Sequence, residues 1–593
     1  MAKRLKKKVS AAAKPVRVSK AKATLSSLGL PLLLAAVTFL VYWPSLKSDL
    51  VYDARTEILE EGFITSLSNL PAVLSLKVLG MNLMLADRPG ELLYLMLIAA
   101  VSGRDPFGYH LANNILHAAN AALLFVVLGR LLRTEQPELE GRHGPKVKLA
   151  LIAVTLIFAL HPMACEPVAA VNYSSDLLVT FFTLLALLSA TAFNPANLRA
   201  GLLVGGAGVL CCFAAVTAKE SGAAAAPILV AYWFLFRRTE AKGCWLWFLG
   251  SALATTAAFL TARFLLALPA EIPAKYLGGS FPEVLSIQPR LWVFMMGQLV
   301  CPTRLSADYT LENLGGLTTP FALAILFTVL LLQAWLAAKS RTGALGAVVY
   351  WLGLATVSNF IPLYRILGDR FYYLPLAGVA MQLLALLMVS LRFREGFWAA
   401  AAACFVAILP LTYLTVVRET VFATSFNLWS ETVQASPYSA NAHCNLGLAL
   451  SERGQTDEAI EQTEIALKLA PTAEDDNNLG DFLRLKGQLD EAMAEFQLAV
   501  KADPTMAKAH DNLGCVYLLK GRWDDAITEI QKAVEINPDY IDAHYNLGIA
   551  FMEKKEPEEA IPQFETVLRL NPDDADAQNK LAAAQTMAGQ NRR

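Results

Sequence analysis

The chain has 593 residues, 55% of them hydrophobic and 17% charged, and a mean hydropathy of +0.43; a soluble protein of this size is not that apolar, which places the chain in a bilayer. Its net charge of −1 hides two opposite parts: residues 437–593 carry 28 acidic against 15 basic side chains, and the residues before them 23 acidic against 35 basic. A basic membrane part thus precedes an acidic soluble part. The absence of a Walker loop, dinucleotide fingerprint, nucleophile elbow or basic nucleic-acid patch leaves nucleotide-driven transport, hydrolase chemistry and nucleic-acid partners without support.

Residues 1–27 open with MAKRLKKK and form a basic cytoplasmic N-terminus. The apolar run from Leu28 to Leu46 is long enough to span and lacks a small-x-small cleavage site, so it reads as an uncleaved signal anchor. Further spans are expected at about 109–132, 149–162, 174–193, 200–217, 221–236, 244–267, 318–338, 343–363, 371–391 and 397–417, which makes eleven within a membrane domain of 28–420. Alternation then puts the basic connections at 133–148, Arg199, 237–242, 339–341 and 392–394 on the cytoplasmic side, as the positive-inside rule asks. The apolar segment from Arg290 to Leu299, between Pro289 and Pro302, is too short to span and reads as an interfacial or re-entrant helix. Counted as a span, it would move the C-terminal part into the cytoplasm.

The outward side receives the loops at about 47–108, 161–172, Lys219-Glu220, 268–317 and 364–370. Ionisable residues at a membrane boundary are costly when unpaired, so their convergence on one face points to an aqueous cleft. Asp53 stands at the start of the first of these loops. In the second span His110, Asn113, Asn114, His117 and Asn120 recur at helical spacing; such a stripe ordinarily bonds neighbouring helices. His110 is closest to the outer mouth and is set apart as a substrate-binding candidate. Eight cysteines at scattered positions show neither metal-ligand nor disulfide spacing and read as small packing residues.

A linker at 421–436 leads to residues 437–593. There, Pro437, Pro471, Pro504, Pro538 and Pro572 recur every 33 or 34 residues, Leu446-Gly447, Leu479-Gly480, Leu513-Gly514 and Leu547-Gly548 keep that period, and Ala459, Ala492, Ala526 and Ala560 follow at a fixed offset. This is the tetratricopeptide repeat (TPR) pattern, four helix pairs with a cap helix at 573–587. Asn445, Asn478, Asn512 and Asn546 precede each Leu-Gly pair. In similar peptide-binding arrays such asparagines line the concave face and grip an extended backbone; the alternative is that Asn is merely common at this repeat position.

The stretches VYDARTEILEEGF, RPGELLYLMLIAAVSGRDPFGYHLANNILHAANAALL, FALHPMACEPVAAVNYSSDLL, AKES, LSADY and GDRFYYLPLAG occur in this order. Together they resemble the transmembrane and TPR-containing protein O-mannosyltransferases, and through them the GT-C glycosyltransferase superfamily, over roughly residues 28–420 with the repeats following. Two positions depart from the family: its paired acids after the first span are Asp53-Ala54 here, and the Arg usual before Asp-Leu-Leu is Ser175.

With the eleven spans and the orientation read above, the expected architecture is all-α, a GT-C-like membrane domain followed by an extracytoplasmic TPR solenoid, in a bacterial inner membrane or ER membrane. The resemblance further implies transfer of a sugar, mannose by resemblance, from a polyprenyl-phosphate donor to Ser or Thr of a protein bound by the repeats. Asp53 is the candidate for orienting or deprotonating the acceptor hydroxyl. Arg370, Arg365 and Lys219 are candidates for the donor phosphate, with headgroup contact as the alternative. Glu166, His161 and Glu220 are candidates for contacting sugar or acceptor, and Glu166 with Asp53 for a divalent ion, since some GT-C enzymes use one and others none. The competing reading makes His161-Pro162 a helix end and Glu166 the next helix start. The competing functions are a membrane-anchored TPR scaffold for an envelope or export complex, and a transferase for glycan or lipid acceptors.

Overall fold

The computed structural model describes residues 29–52, 62–81, 85–240, 242–266, 279–358 and 367–591, with Ala54, Ile58 and Leu83. Among these the regular structure is helical throughout, in a membrane part and a solenoid. Among the described residues, seven helices are long and apolar enough to cross a bilayer: Pro106–Glu135, Val171–Ala192, Arg199–Ala218, Lys242–Leu266, Thr319–Lys339, Asp369–Ser390 and Glu395–Val421. Gly141–Ala159 and Pro162–Ala169, bent by 51° where they meet, make an eighth if they form one span.

Three of the eleven expected spans are shorter helices among the described residues. Gly29–Val41 has 13 residues and Arg341–Ala355 has 15, and Ala225–Tyr232 has 8, flanked by the 3-10 turn Glu220–Ala224 and the π-helical turn Trp233–Arg237. At about 1.5 Å per residue, 13 residues rise roughly 20 Å, short of a hydrocarbon core of about 30 Å. The segment expected from Arg290 to Leu299 is the second half of a 20-residue helix, Phe281–Val300, that carries Pro289 inside it.

Lipid removes the hydrophobic drive between spanning helices, so close backbone approach does more of the work. Between Arg341–Ala355 and Tyr373–Ser390, a Cβ on Gly346 would meet the Gly378 carbonyl oxygen at 2.7 Å, and one on Gly378 the Gly346 oxygen at 2.6 Å. Only glycine permits this contact. The polar stripe on Pro106–Glu135 bonds its neighbours as its spacing predicts: Asn113 to the Val168 carbonyl, Asn114 to the Phe39 carbonyl, His117 to Tyr373 and the Ala159 carbonyl, and Asn120 to the Leu177 carbonyl.

The solenoid has helix pairs Ala440–Glu452 with Thr456–Leu469, Ala473–Leu485 with Leu489–Ala502, Ala507–Leu519 with Trp523–Ile536, and Ile541–Glu553 with Pro557–Leu570, then the cap Ala575–Asn591. The repeating Gly lets each pair close: a Cβ on Gly447, Gly480, Gly514 or Gly548 would lie 2.3 to 2.8 Å from Thr463, Phe496, Ile530 or Phe564. The repeating Ala is fully buried in all four. Turns inside the first three pairs use Gly454, Gly487 and Gly521 at φ of +75°, +82° and +70°, whereas the fourth uses Lys555 at +65°.

The segment expected as a linker contains the helix Ser425–Ala435, with Leu428 and Trp429 buried in one apolar core that runs from the membrane helices into the first repeat at Leu446 and Leu450. Polar contacts fix the same junction. Asn313 Nδ2 donates to the Ala435 carbonyl (2.9 Å), Ser439 Oγ to Asp308 Oδ2 (2.5 Å), and the hydroxyls of Ser306 and Ser436 are 3.0 Å apart. The first repeat is therefore seated on the loop at 301–317.

Candidate functional site

Arg370 lies in the tight turn Asp369–Tyr372 that opens the helix Tyr373–Ser390. Its Nη1 donates to Glu166 Oε1 (2.5 Å) and its backbone N–H to Glu166 Oε2 (2.9 Å). Both side chains are buried, and such a pair persists only when charge and hydrogen bonds are matched. The guanidinium stacks on Tyr173, 3.8 Å from its ring centroid, and lies 4.8 Å from that of Phe371. Lys219, buried where the helix Leu198–Ala218 ends, gives Nζ to Asp176 at 2.9 and 2.7 Å and sits 5.4 Å from the same Phe371 ring. Two of the three phosphate candidates thus flank one aromatic ring, each held by a carboxylate.

Beyond Lys219 the charges continue. Glu220 lies 4.0 Å from Arg88 and 3.8 Å from Arg263, Arg88 is 3.6 Å from Glu91, and Arg263 bonds Asp87 at 2.5 Å. Burial pushes the Glu220 carboxyl up, but Arg88, Lys219 and Arg263 together hold it below the usual carboxylate range. Glu91 in turn accepts the Ser175 backbone N–H at 2.9 Å and the Ser174 hydroxyl at 3.1 Å. On the other side of Arg370, Asp369 accepts the Tyr309 hydroxyl (2.6 Å) and an N–H of Arg418 (3.4 Å), while Arg418 also bonds Glu431 on the helix leading to the solenoid. Burial, then Asp369, pushes the Tyr309 hydroxyl up, so it remains a proton donor.

His161 caps the turn Pro162–Ala164: its Nδ1 accepts the Met163 N–H at 3.2 Å and its Nε2 lies 3.0 Å from the Leu299 carbonyl, which fixes the neutral Nε2–H tautomer. It thereby ties the helix break at Pro162 to the helix Phe281–Val300. Glu166 does open the short helix Cys165–Ala169, and its oxygens are spent on Arg370. His110 is buried beside the backbone of Ser48 and Asp49.

Asp53 and Arg365 lie outside the described residues. The residue before Asp53 is Tyr52, at φ +57°, a left-handed conformation that costs a non-glycine residue about 1 kcal/mol. Its ring packs 5.2 Å from Tyr173, the ring on which Arg370 stacks, and 5.5 Å from Trp429. No group of three or more His, Cys, Asp or Glu among the described residues is arranged to hold a metal ion.

In the solenoid, Asn478 donates to Cys444 Sγ (3.6 Å), Asn512 to Asn477 Oδ1 (2.9 Å) and Asn546 to both oxygens of Asp511 (3.0 and 3.1 Å), each on the preceding repeat. Asn445 instead bonds within its own helix, to the Asn441 carbonyl. Three of these amides tie successive first helices together.

The site gathers residues that sequence reasoning did not single out: Asp176, Asp369, Arg88, Glu91 and Arg418. Each interrupts or ends an apolar run, which was the available signal, but their partners lie on other helices. The arrangement offers buried cations at one end of the bundle, aromatic walls, and a direct connection to the solenoid.

Models of tetratricopeptide repeats match residues 444–507 and 541–574, and a TPR repeat model matches 515–555. The chain is similar to the protein O-mannosyl-transferase F38B6.6 of Caenorhabditis elegans, 25% identical over 461 residues that cover 75% of this chain and 63% of that protein. It is also similar to the protein O-mannosyl-transferase Tmtc3 of Drosophila melanogaster, 27% identical over 429 residues, 60% of this chain and 45% of that protein. The chain thus spans less than two thirds of the length of these relatives. Among solved structures, MamA is 26% identical over 26% of this chain and 83% of its own, with a TM-score of 0.23.

Proposed function

Because the chain is a homologue of the transmembrane and TPR-containing protein O-mannosyl-transferases, we propose that it transfers a sugar, mannose in this reading, from a polyprenyl-phosphate donor to Ser or Thr hydroxyls of protein acceptors on the non-cytoplasmic face. The observation that carries the reading is the pairing of Arg370 and Lys219 across Phe371 at the end of the bundle where the solenoid attaches. A bilayer-embedded lipid phosphate needs buried cations at a membrane boundary, and these two are the kind that a leaving phosphate uses.

In this reading the acceptor oxygen attacks the anomeric carbon as its proton passes to the Asp53 carboxylate. The bond from that carbon to the phosphate oxygen breaks, and the polyprenyl phosphate leaves with the electron pair. Arg370 and Lys219 stabilise the charge that develops there. Glu166 and Asp176 hold the two cations in place before the donor arrives, so little reorganisation is needed. The solenoid presents the acceptor.

The test is transfer in lipid nanodiscs from a polyprenyl-phosphate sugar to a Ser/Thr peptide. Wild type should transfer, and Asp53→Asn should fall by about two to four orders of magnitude, the size of a general acid–base contribution, while eluting as a folded protein. An Asp53→Asn protein as active as wild type removes Asp53 from the chemistry; no transfer by wild type with any polyprenyl-phosphate sugar leaves the membrane-anchored scaffold as the better account.

A further inference from the structure

A cleft of about 530 Å³ opens where the solenoid meets the membrane part, between the loop at 303–315 and the helix Ser425–Ala435 with the two residues that begin the first repeat. Thr303, Arg304 and Glu312 stand on one wall, and Glu431, Gln434 and Tyr438 on the other. Arg304, Gln434 and Tyr438 are exposed, Tyr438 at 60%, although the helices on either side of them are packed into one core. An aromatic ring left in solvent beside an arginine, a carboxylate and an amide is the composition of a recognition surface rather than of a packing seam.

Both walls lead to the candidate site. The loop that bears Arg304 also bears Tyr309, which bonds Asp369, the neighbour of Arg370. Glu431 on the opposite wall bonds Arg418, and Arg418 bonds Asp369 from the other side. The far end of the same wall is the first helix of the solenoid, seated on the loop through Ser439 and Asp308. The cleft is thus bonded on one side to the first repeat and on the other to the buried charges.

We propose that this cleft binds the acceptor polypeptide as an extended segment, with Tyr438 and Arg304 as its main contacts. The inference rests on the transferase reading for what the ligand is, but its binding is independent of catalysis. The walls suit a peptide: Gln434 and Thr303 offer side-chain donors and acceptors to a main chain, Glu312 and Arg304 bring opposite charges, and the volume falls within the range of ligand sites. Nothing in this set selects one side chain, so an unstructured segment rich in small and hydroxyl residues fits.

The test places a benzophenone amino acid at Gln434 of the full chain in nanodiscs, with Phe393, exposed on the connection between two spanning helices, as the control position. The probe is a fluorescent unstructured peptide of Gly, Ala, Ser and Thr, added without any sugar donor. Cross-linking at position 434 and not at 393, competed by unlabelled peptide, is the expected result, and the double substitution Tyr438→Ala with Arg304→Ala should weaken it about tenfold. These two side chains are exposed, so the variant keeps the core; elution as wild type checks this. Equal labelling at both positions, no change in the double variant, or competition by free oligosaccharide in place of peptide overturns the proposal. Capture of the peptide by a protein that transfers no sugar leaves the cleft standing and removes the transferase reading. Transfer to the peptide with no labelling at 434 does the reverse.

Discussion

Arg370 is bound twice by one carboxylate: Glu166 accepts its Nη1 at 2.5 Å and its backbone N–H at 2.9 Å, although the two residues are 204 positions apart in the chain. The double contact fixes both the side chain and the turn that presents it. It also sets the guanidinium against Tyr173.

Two substitutions separate the structural part of this contact from its role in transfer. Glu166→Gln leaves a buried guanidinium without its counter-charge, a change of about 3–5 kcal/mol, so the protein should lose thermal stability sharply or fail to accumulate. Arg370→Lys keeps the charge but loses the planar fork that grips phosphate. It should raise the apparent KM for the donor at least about tenfold with a smaller effect on the acceptor KM, the loss of one charge-assisted bond. Equal donor KM in wild type and Arg370→Lys would falsify the phosphate role.

The solenoid was legible in the sequence because each of its constraints is local and repeats. Gly447 and its three counterparts must face a helix that follows within about a dozen residues, so the period alone exposes them. The long spans were legible for a similar reason, since hydropathy is summed along one helix. The site was not. Arg370 with Glu166, Lys219 with Asp176 and Arg418 with Asp369 pair across helices, and no spacing rule links them. Asp176 and Arg418 each stand at the edge of an apolar run, where the sequence shows no partner for them. The helix Ser425–Ala435 was missed because it is short, with only Leu428, Trp429 and Thr432 turned inward.

The fourth repeat turn uses Lys555 at φ +65° where the other three use glycine. A side chain in this region costs roughly 1–2 kcal/mol, partly offset by the entropy glycine adds to the unfolded chain. Lys555→Gly should therefore stabilise the C-terminal repeats by about 1 kcal/mol, read as slower amide exchange in residues 541–570, and Gly487→Ala should do the opposite in the second repeat. Faster exchange in Lys555→Gly would mean that the lysine side chain makes contacts that outweigh the strain.

Burial pushes the Asp511 carboxyl up to about 6, with Asn546 pulling it down and Asp542 adding to the rise. Its folded value lies above the unfolded value of about 3.9, so the folded repeat binds the proton more tightly and stability falls as pH rises through this window. By pH 7 the charged form should cost the array roughly 3 kcal/mol at most. Asp511→Asn keeps one acceptor for Asn546 and removes the titration. The stability difference between variant and wild type should therefore favour the variant at pH 7 and shrink towards zero by about pH 4. A difference that stays constant across this range rejects the assignment.

The asparagine ladder carries two roles that one pair of substitutions separates. Asn512 donates to Asn477 and Asn546 to Asp511 across the repeat boundary, while both side chains stay partly exposed. Replacing Asn512 by Ala removes one hydrogen bond and replacing Asn546 removes its contacts to both Asp511 oxygens; each leaves a buried acceptor on the preceding helix, so stability should drop by about 1–3 kcal/mol, most for Asn546→Ala if Asp511 is charged. If the ladder also grips an acceptor main chain, Asn478→Ala with Asn512→Ala should raise the apparent KM for a long protein acceptor and leave transfer to a short peptide unchanged, because a short peptide reaches the site without the array. Loss on long and short acceptors alike means that the amides serve only to align the repeats with the membrane part. A drop in stability with no change for either acceptor assigns them to inter-repeat packing alone and moves acceptor selection to the junction cleft.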